Sequence, residues 1–533
     1  MQTIPFYPSI LLSNPEPVEE VVTLTDRLIE INTAINDFVW VKIGLILLIG
    51  SGILLTIITK FFQITHLPHW VKKTMGGVFK KDAHNKNEEG SVSQFQAMCT
   101  ALAATIGTGN IAGVSAAIVL GGPGAVFWMW VAAFFGMMTN FSENVLGIYY
   151  RLKNKDGDWS GGAMYYLRDG LAKIPGYEFI GKTLAFLFAV FTVLASFGIG
   201  NMGQVNKITL NINSAFFSNM ESPVILGSIP LIPLIIGIVL MILAALIILG
   251  GLKRIANVAE KVVPFMAGAY VLGALVLIVL HFDMIIPAFL SIFRFAFGVE
   301  AVGGAATGIL IKTVITQGCK RGVFSNEAGL GSSVMVHCNS NVKEPVKQGL
   351  WGIFEVIADT MVVCTITALV VLTSGFIDLN TGLALEGVSD ATLVAQAFGN
   401  SFGAFGEGFV AISLLLFAFT TILGWSHYGC KAVEFLFGKF GIMAAKIYRV
   451  FFVLMILSGA LMTSSLAWDI SDTFNGLMMI PNLIGVISLS PVLVRITRNY
   501  IDRKIKGKNV EPVLSNNPVI QAEMAQAVAE GKE

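Results

Sequence analysis

Long apolar blocks separated by short charged stretches make up most of this chain. Blocks long enough to cross about 30 Å of hydrocarbon fall at about 40 to 59, 95 to 120, 122 to 149, 183 to 206, 231 to 250, 262 to 280, 297 to 318, 350 to 374, 406 to 430, 447 to 467 and 474 to 494. An all-α polytopic membrane protein with eleven transmembrane helices is predicted. The second block is interrupted: Thr105-Ile106-Gly107-Thr108-Gly109-Asn110 puts two glycines and three hydrogen-bonding side chains at the middle of an apolar run. Backbone at membrane depth has no water to satisfy its amides and carbonyls, so an unwound stretch is expected only where it lines a cavity or binds something. The seventh block is interrupted too, through Gly303-Gly304-Ala305-Ala306-Thr307-Gly308. Five spans separate the two breaks, so the broken helices run in opposite directions, the pattern of an inverted-repeat transporter with its site at mid-membrane.

Charge gives the blocks a direction. The alternate connections 60 to 94, 151 to 182, 251 to 261, 312 to 349, 431 to 449 and 495 to 533 hold 31 of the 35 basic residues, and the other set holds only Arg27, Lys207 and Arg294. Cytoplasmic loops collect Lys and Arg, so the N-terminus is expected outside and the C-terminus in the cytoplasm of a cell that carries this protein in its plasma membrane. The acidic residues 1 to 39 form an extracytoplasmic segment whose Leu24 to Ile35 stretch is amphipathic and suits either the outer membrane surface or a poorly ordered lead-in. Trp159 to Tyr166 suits a re-entrant or interfacial helix, and the tail after Ile501 is expected to be solvated.

Composition agrees with a membrane class: 55% apolar and 13% charged residues, with a mean hydropathy of +0.74, lie outside the soluble range. A net charge of +1 attracts no nucleic acid. Five cysteines without zinc spacing read as free thiols. Glu16, Glu19, Glu20, Asp26 and Glu30 precede the first apolar block, so no cleaved signal peptide is expected. There is no P-loop, G-x-S-x-G or HExxH motif, so no enzyme is expected and no organic cofactor.

The second-span break offers two kinds of ligand. Unwinding frees carbonyls from Ala103 to Ile106, which suit a small cation, and amides from Gly107 to Asn110, which suit a carboxylate. Glycine at 107 and 109 permits positive φ and close approach; the competing reading is helix packing through Gly107, Gly109 and Gly113. Thr420 and Thr421 can give two hydroxyl oxygens to a hard cation or bond back along their own helix. Trp425, one turn further, walls a small pocket or simply packs. In the fourth span Gln204 can accept from an ammonium and donate to a carboxylate, while Asn201 and Asn206 suit interhelical bonds. Asp359 in the eighth span binds a second cation, carries a proton or pairs with a neighbour. Glu143 is expected to pair with Arg151, and His427 to be satisfied near the inner end of the ninth span.

The runs Gly107 to Gly113, Gly162 to Tyr166, Gly200 to Gln204 and Arg321 to Ser332 resemble the alanine or glycine:cation symporters, also called sodium:alanine symporters, over about residues 40 to 495. The resemblance implies a leucine-transporter fold: one extra N-terminal helix at 40 to 60, inverted repeats at 95 to 280 and 297 to 495, and a cytoplasmic tail at 496 to 533. It implies sodium as coupling ion, held by the carbonyls of Ala103, Ile106 and Phe417 and the hydroxyls of Thr420 and Thr421. The substrate pocket implied comprises Thr105, Gly107, Thr108, Gly109, Asn110, Gln204, Gly304, Ala305, Thr421 and Trp425. Ala305 stands where many members have Phe, so an amino acid larger than alanine, such as glutamine, stays open. The partners implied are an amino acid, sodium and the lipid bilayer. Rival readings are a proton-coupled carrier using Asp359, a channel and a sensor.

Overall fold

The computed structural model describes residues 24–77, 91–218, 220, 222–225, 229–297, 311–462 and 466–530. Among these the chain is mostly helical, with two short β-hairpins, Leu152–Lys153 with Trp159–Ser160 and Val224–Ile225 with Ile229–Pro230. Among the described residues seven helices are long and apolar enough to cross a membrane, and eight if the bent pair Asp472–Ser488 and Ser490–Ile505, which meet at 60°, makes one span. The difference from eleven has local causes. The second span is split into Gln94–Thr105 and Ala112–Gly121. Much of the seventh lies outside the described residues. The apolar stretch Ala404–Leu461 contains two helices, Ala404–Phe437 and Gly441–Leu461, joined at Gly438 with φ 50°.

The helices sort by what they face. Leu231–Ile248, Gly251–Leu280 and Gly441–Leu461 leave large apolar side chains such as Val239, Leu246, Phe265, Leu272, Ile447 and Leu454 exposed, the surface a bilayer would cover. Gln94–Thr105, Gly124–Tyr150, Ile311–Asn326, Pro345–Val356 and Ala404–Phe437 form the interior. Close crossings there rest on small residues: a Cβ on Gly424 would lie 2.6 Å from Ala104 Cβ, and one on Gly200 would lie 2.4 Å from Trp425 Cβ.

Three expectations change. Residues 312 to 349 are not one inner connection: Ile311–Asn326 is a helix packed against Gly124–Tyr150 and Ala112–Gly121. Its Lys320 ammonium pairs with Asp472 at 2.8 Å; such polar residues lower the hydropathy of a segment that is nonetheless interior. Glu143 and Arg151 do not pair. The Gly124–Tyr150 helix ends one residue short of Arg151, which is extended at φ −67°, ψ 152°. Its guanidinium therefore turns away, donating to the carbonyls of Cys338 (2.9 Å) and Ser340 (2.6 Å) and lying 3.9 Å above the Trp159 ring. The tail is not simply solvated: Leu514, Ile520 and Met524 bury against Trp159, and the Asn516 amide donates to Tyr149 O at 2.9 Å. All five cysteines are free and buried.

Candidate substrate and cation site

A capping box starts the broken span, with Ser93 Oγ accepting from the Gln96 amide (3.1 Å) and Gln96 Oε1 from the Ser93 amide (3.2 Å). The helix that follows leaves α geometry at Ile106 (φ −74°, ψ 88°) and Gly107 (φ −133°, ψ −149°), passes through one tight turn at Thr108–Asn110 and resumes at Ala112. The details decide which carbonyls are released. In an unbroken helix the Gly107 amide would bond to Ala103 O and the Asn110 amide to Ile106 O. Here the Gly107 amide donates to Asn110 Oδ1 (2.9 Å) and the Asn110 amide to Gly107 O (3.3 Å). Ala103 and Ile106 are thereby freed from their helical partners.

Thr421 reaches one of them. Its hydroxyl lies 3.2 Å from Ala103 O and 3.1 Å from Phe417 O, and Thr420 Oγ1 lies 2.9 Å from Phe417 O. Thr421 thus joins the Ala103 and Phe417 carbonyls, whereas Thr420 Oγ1 turns between Phe417 O and the Met266 sulfur at 3.5 Å. The threonines do bond back along their helix, as the alternative reading has it, and Thr421 also crosses to the break.

The glycines serve space rather than handedness. Neither Gly107 nor Gly109 has positive φ. A Cβ on Gly107 would stand 2.5 Å from Thr421 Oγ1 and 3.4 Å from Gln204 Oε1, and one on Gly109 would stand 3.2 Å from the Phe324 ring. Gln204 follows a π-helical turn, Gly198–Met202, which offsets its side chain toward the break. Its Oε1 accepts from the Thr108 amide (3.3 Å) and its Nε2 donates to Ile199 O (3.1 Å). Thr105 Oγ1 only approaches Leu102 O, at 3.5 Å. The Thr108 hydroxyl is buried without a hydrogen-bond partner among the described residues, an unusual state for a buried polar group. Gly304 and Ala305, with the whole Gly303 to Gly308 interruption, lie outside the described residues.

Around Asp359 and Trp425, both expected from the sequence, stand Ser325 and Glu327, which were not singled out individually. Asp359, in a π-helical segment Ile357–Cys364 of the eighth span, accepts from Asn110 Nδ2 (2.6 Å), Ser325 Oγ (2.6 Å) and Thr360 Oγ1 (2.8 Å). Asn110 thus braces the break through its carbonyl oxygen and ties it to Asp359 through its amide nitrogen. Beyond Ser325 the helix Ile311–Asn326 stops in a left-handed passage, Glu327 at φ 55°, Gly329 at 95° and Gly331 at 73°. Glu327 receives Trp425 Nε1 (2.8 Å) and the Ser332 hydroxyl, so Trp425 is anchored by its polar edge, while Asn482 links Glu143, Gly329 O and Tyr166. His427 meets Asn339 at 3.3 Å. The Arg321 to Ser332 run carries the family resemblance, but its spacing does not show that Ser325 meets Asp359 or that Glu327 meets Trp425.

Residues 25–514 match the sodium:alanine symporter family. The chain belongs to that family. Among its relatives, the sodium/alanine symporter AgcS of Methanococcus maripaludis is 45% identical over 90% of this chain and 98% of its own length. A Bacillus subtilis relative named "Probable sodium/glutamine symporter GlnT" is 35% identical over 91% of this chain and 94% of its own length. The amino-acid carrier protein AlsT of the same organism is 34% identical over 93% and 99%. The structure of MhsT in complex with L-phenylalanine superposes with a TM-score of 0.51 at 13% identity, over 77% of this chain and 99% of that one; the family member therefore has the leucine-transporter fold.

Proposed function

We propose that this chain is a sodium-coupled symporter that imports a small neutral amino acid, alanine or glycine, by alternating access. The reading includes eleven spans, an outer N-terminus, a cytoplasmic C-terminus, and one extra helix before a five-plus-five inverted repeat. The observation that carries it is the Thr421 hydroxyl lying between the freed Ala103 carbonyl and the Phe417 carbonyl. Hard cations take oxygen ligands, and a discontinuous helix can offer them at membrane depth. Sodium is assigned to Ala103, Ile106, Phe417, Thr420 and Thr421. The amino acid is assigned to Thr105, Gly107 to Asn110, Gln204, Gly304, Ala305, Thr421 and Trp425, its carboxylate on the amides from Gly107 onward and its ammonium toward Gln204, an exchange in which the Gly107, Thr108 and Asn110 amides give up Asn110 Oδ1, Gln204 Oε1 and Gly107 O. Names of relatives support the same chemistry.

A larger neutral amino acid is the second reading, favoured by the small Ala305 and by the name of the GlnT relative. A second cation or a proton is assigned to Asp359, which is fully buried and bonded only to neutral donors. Proteoliposome uptake separates these. A sodium gradient at fixed pH is expected to concentrate labelled alanine, with unlabelled alanine and glycine competing better than serine or glutamine. Uptake driven by a pH gradient without sodium would replace sodium coupling by proton coupling, and stronger competition by glutamine would select the larger substrate.

A further inference from the structure

A cavity of about 310 Å³ opens between the turn that ends the first span and the last helix of the bundle, lined by Ile58, Thr59, Lys60, His66, Val494, Thr497, Arg498, Ile501, Asp502, Lys506 and Lys508. Four of its lining side chains are permanent cations and one is an anion. Asp502 is already shared by Lys506 (3.1 Å) and Lys508 (3.3 Å). Among the described residues neither Lys60 nor Arg498 makes an ion pair. The excess is felt locally: burial and the neighbouring Lys506 pull the His66 pKa below its usual value. Like charges collected around a concavity repel one another unless an anion joins them.

The backbone builds the site into a membrane boundary. Lys60 and Phe61 are both left-handed, at φ 58° and 52°, and this sharp corner sends the chain from the first span into the short helices Phe62–Thr65 and Leu67–Lys73. Trp70 and Phe62 bury inward, while Phe61, Ile64 and Leu67 are exposed beside the basic cavity. A cationic recess rimmed by outward apolar side chains at the end of a span matches a lipid, whose acyl chains lie along the rim while its phosphate enters the recess.

We infer that this cavity binds an anionic phosphate group, presented by an anionic phospholipid of the surrounding leaflet and held by Lys60, Arg498, Lys506 and Lys508. Headgroup binding here would fasten the corner that follows the first span to the Ser490–Tyr500 helix, because Lys60 lies in the former and Arg498 in the latter.

Native mass spectrometry of the full chain in detergent tests this, with phosphatidylglycerol, phosphatidylcholine and inorganic phosphate as separate probes. The wild type should retain a phosphatidylglycerol adduct that phosphatidylcholine does not form. Lys60→Gln with Lys506→Gln should weaken it by about tenfold or more, at about 1 kcal/mol per basic residue near a headgroup. Lys155→Gln with Lys439→Gln, which removes the same charge at exposed positions away from the cavity, should leave it unchanged. Melting temperatures in phosphatidylcholine, equal for all three proteins, would exclude misfolding. Preferential capture of inorganic phosphate, lost in the Lys60/Lys506 variant, would keep the anion site but overturn its lipid source. Equal phosphatidylglycerol retention by all three proteins, or equal retention of the two lipids, would overturn the site.

Discussion

Replacing Thr420 and Thr421 together by alanine is expected to raise the sodium concentration for half-maximal uptake by about 10- to 100-fold, the worth of hydrogen-bond-scale contacts to a charged group, about 1.5–3 kcal/mol. The mutations remove both hydroxyls assigned to sodium, of which the Thr421 hydroxyl reaches the broken span at Ala103 O and the Thr420 hydroxyl stays on its own helix at Phe417 O. Thr421→Ser, which keeps the hydroxyl, should keep most of the sodium affinity. Proteoliposome uptake titrated with sodium reads the effect. An unchanged sodium dependence in the double variant would remove both threonines from the ion site, leaving their bonds to Phe417 O as ordinary helix back-bonding.

Loss of Asp359 should cost more. Asp359→Ala strands three buried donors, Asn110 Nδ2, Ser325 Oγ and Thr360 Oγ1, at about 1–3 kcal/mol for each donor that finds no new partner. Asn110 also holds the Gly107 amide, so the break itself loosens. The expected result is a lowered melting temperature and no measurable transport. Asp359→Asn keeps the volume and distinguishes the roles. With Asp359 as a cation ligand or brace, the variant transports weakly with an unchanged pH profile; with Asp359 as a proton carrier, its pH dependence flattens.

The fold and the centre of the site were legible because they rest on hydropathy and on residues that break it. Gly107 to Asn110 stands out in an apolar run, and Thr420-Thr421 stands out in another. The segment Ile311–Asn326 was not legible as an interior helix, since Lys312, Lys320, Arg321 and Asn326 mimic a loop until Asp472 is seen opposite Lys320. Asp359 was visible as a charge, but its three donors come from separate elements that only tertiary packing joins. Glycine at 107 and 109 permits positive φ and close approach, and the structure uses only the second, with Thr421 against Gly107 and Phe324 against Gly109. Arg151 could not be placed by counting helical turns past Glu143, because the helix ends at Tyr150. Buried Leu514 in a polar tail needed its distant partner Trp159 to be recognised.

Sodium and amino acid bound together at one broken helix must be thermodynamically linked, which is measurable without transport. Equilibrium binding of labelled alanine to the purified protein, titrated at several sodium concentrations, tests it most directly. Alanine affinity is expected to rise with sodium, and Thr420→Ala with Thr421→Ala to abolish the rise while alanine still binds at high concentration. An alanine affinity independent of sodium in the wild-type protein would contradict it.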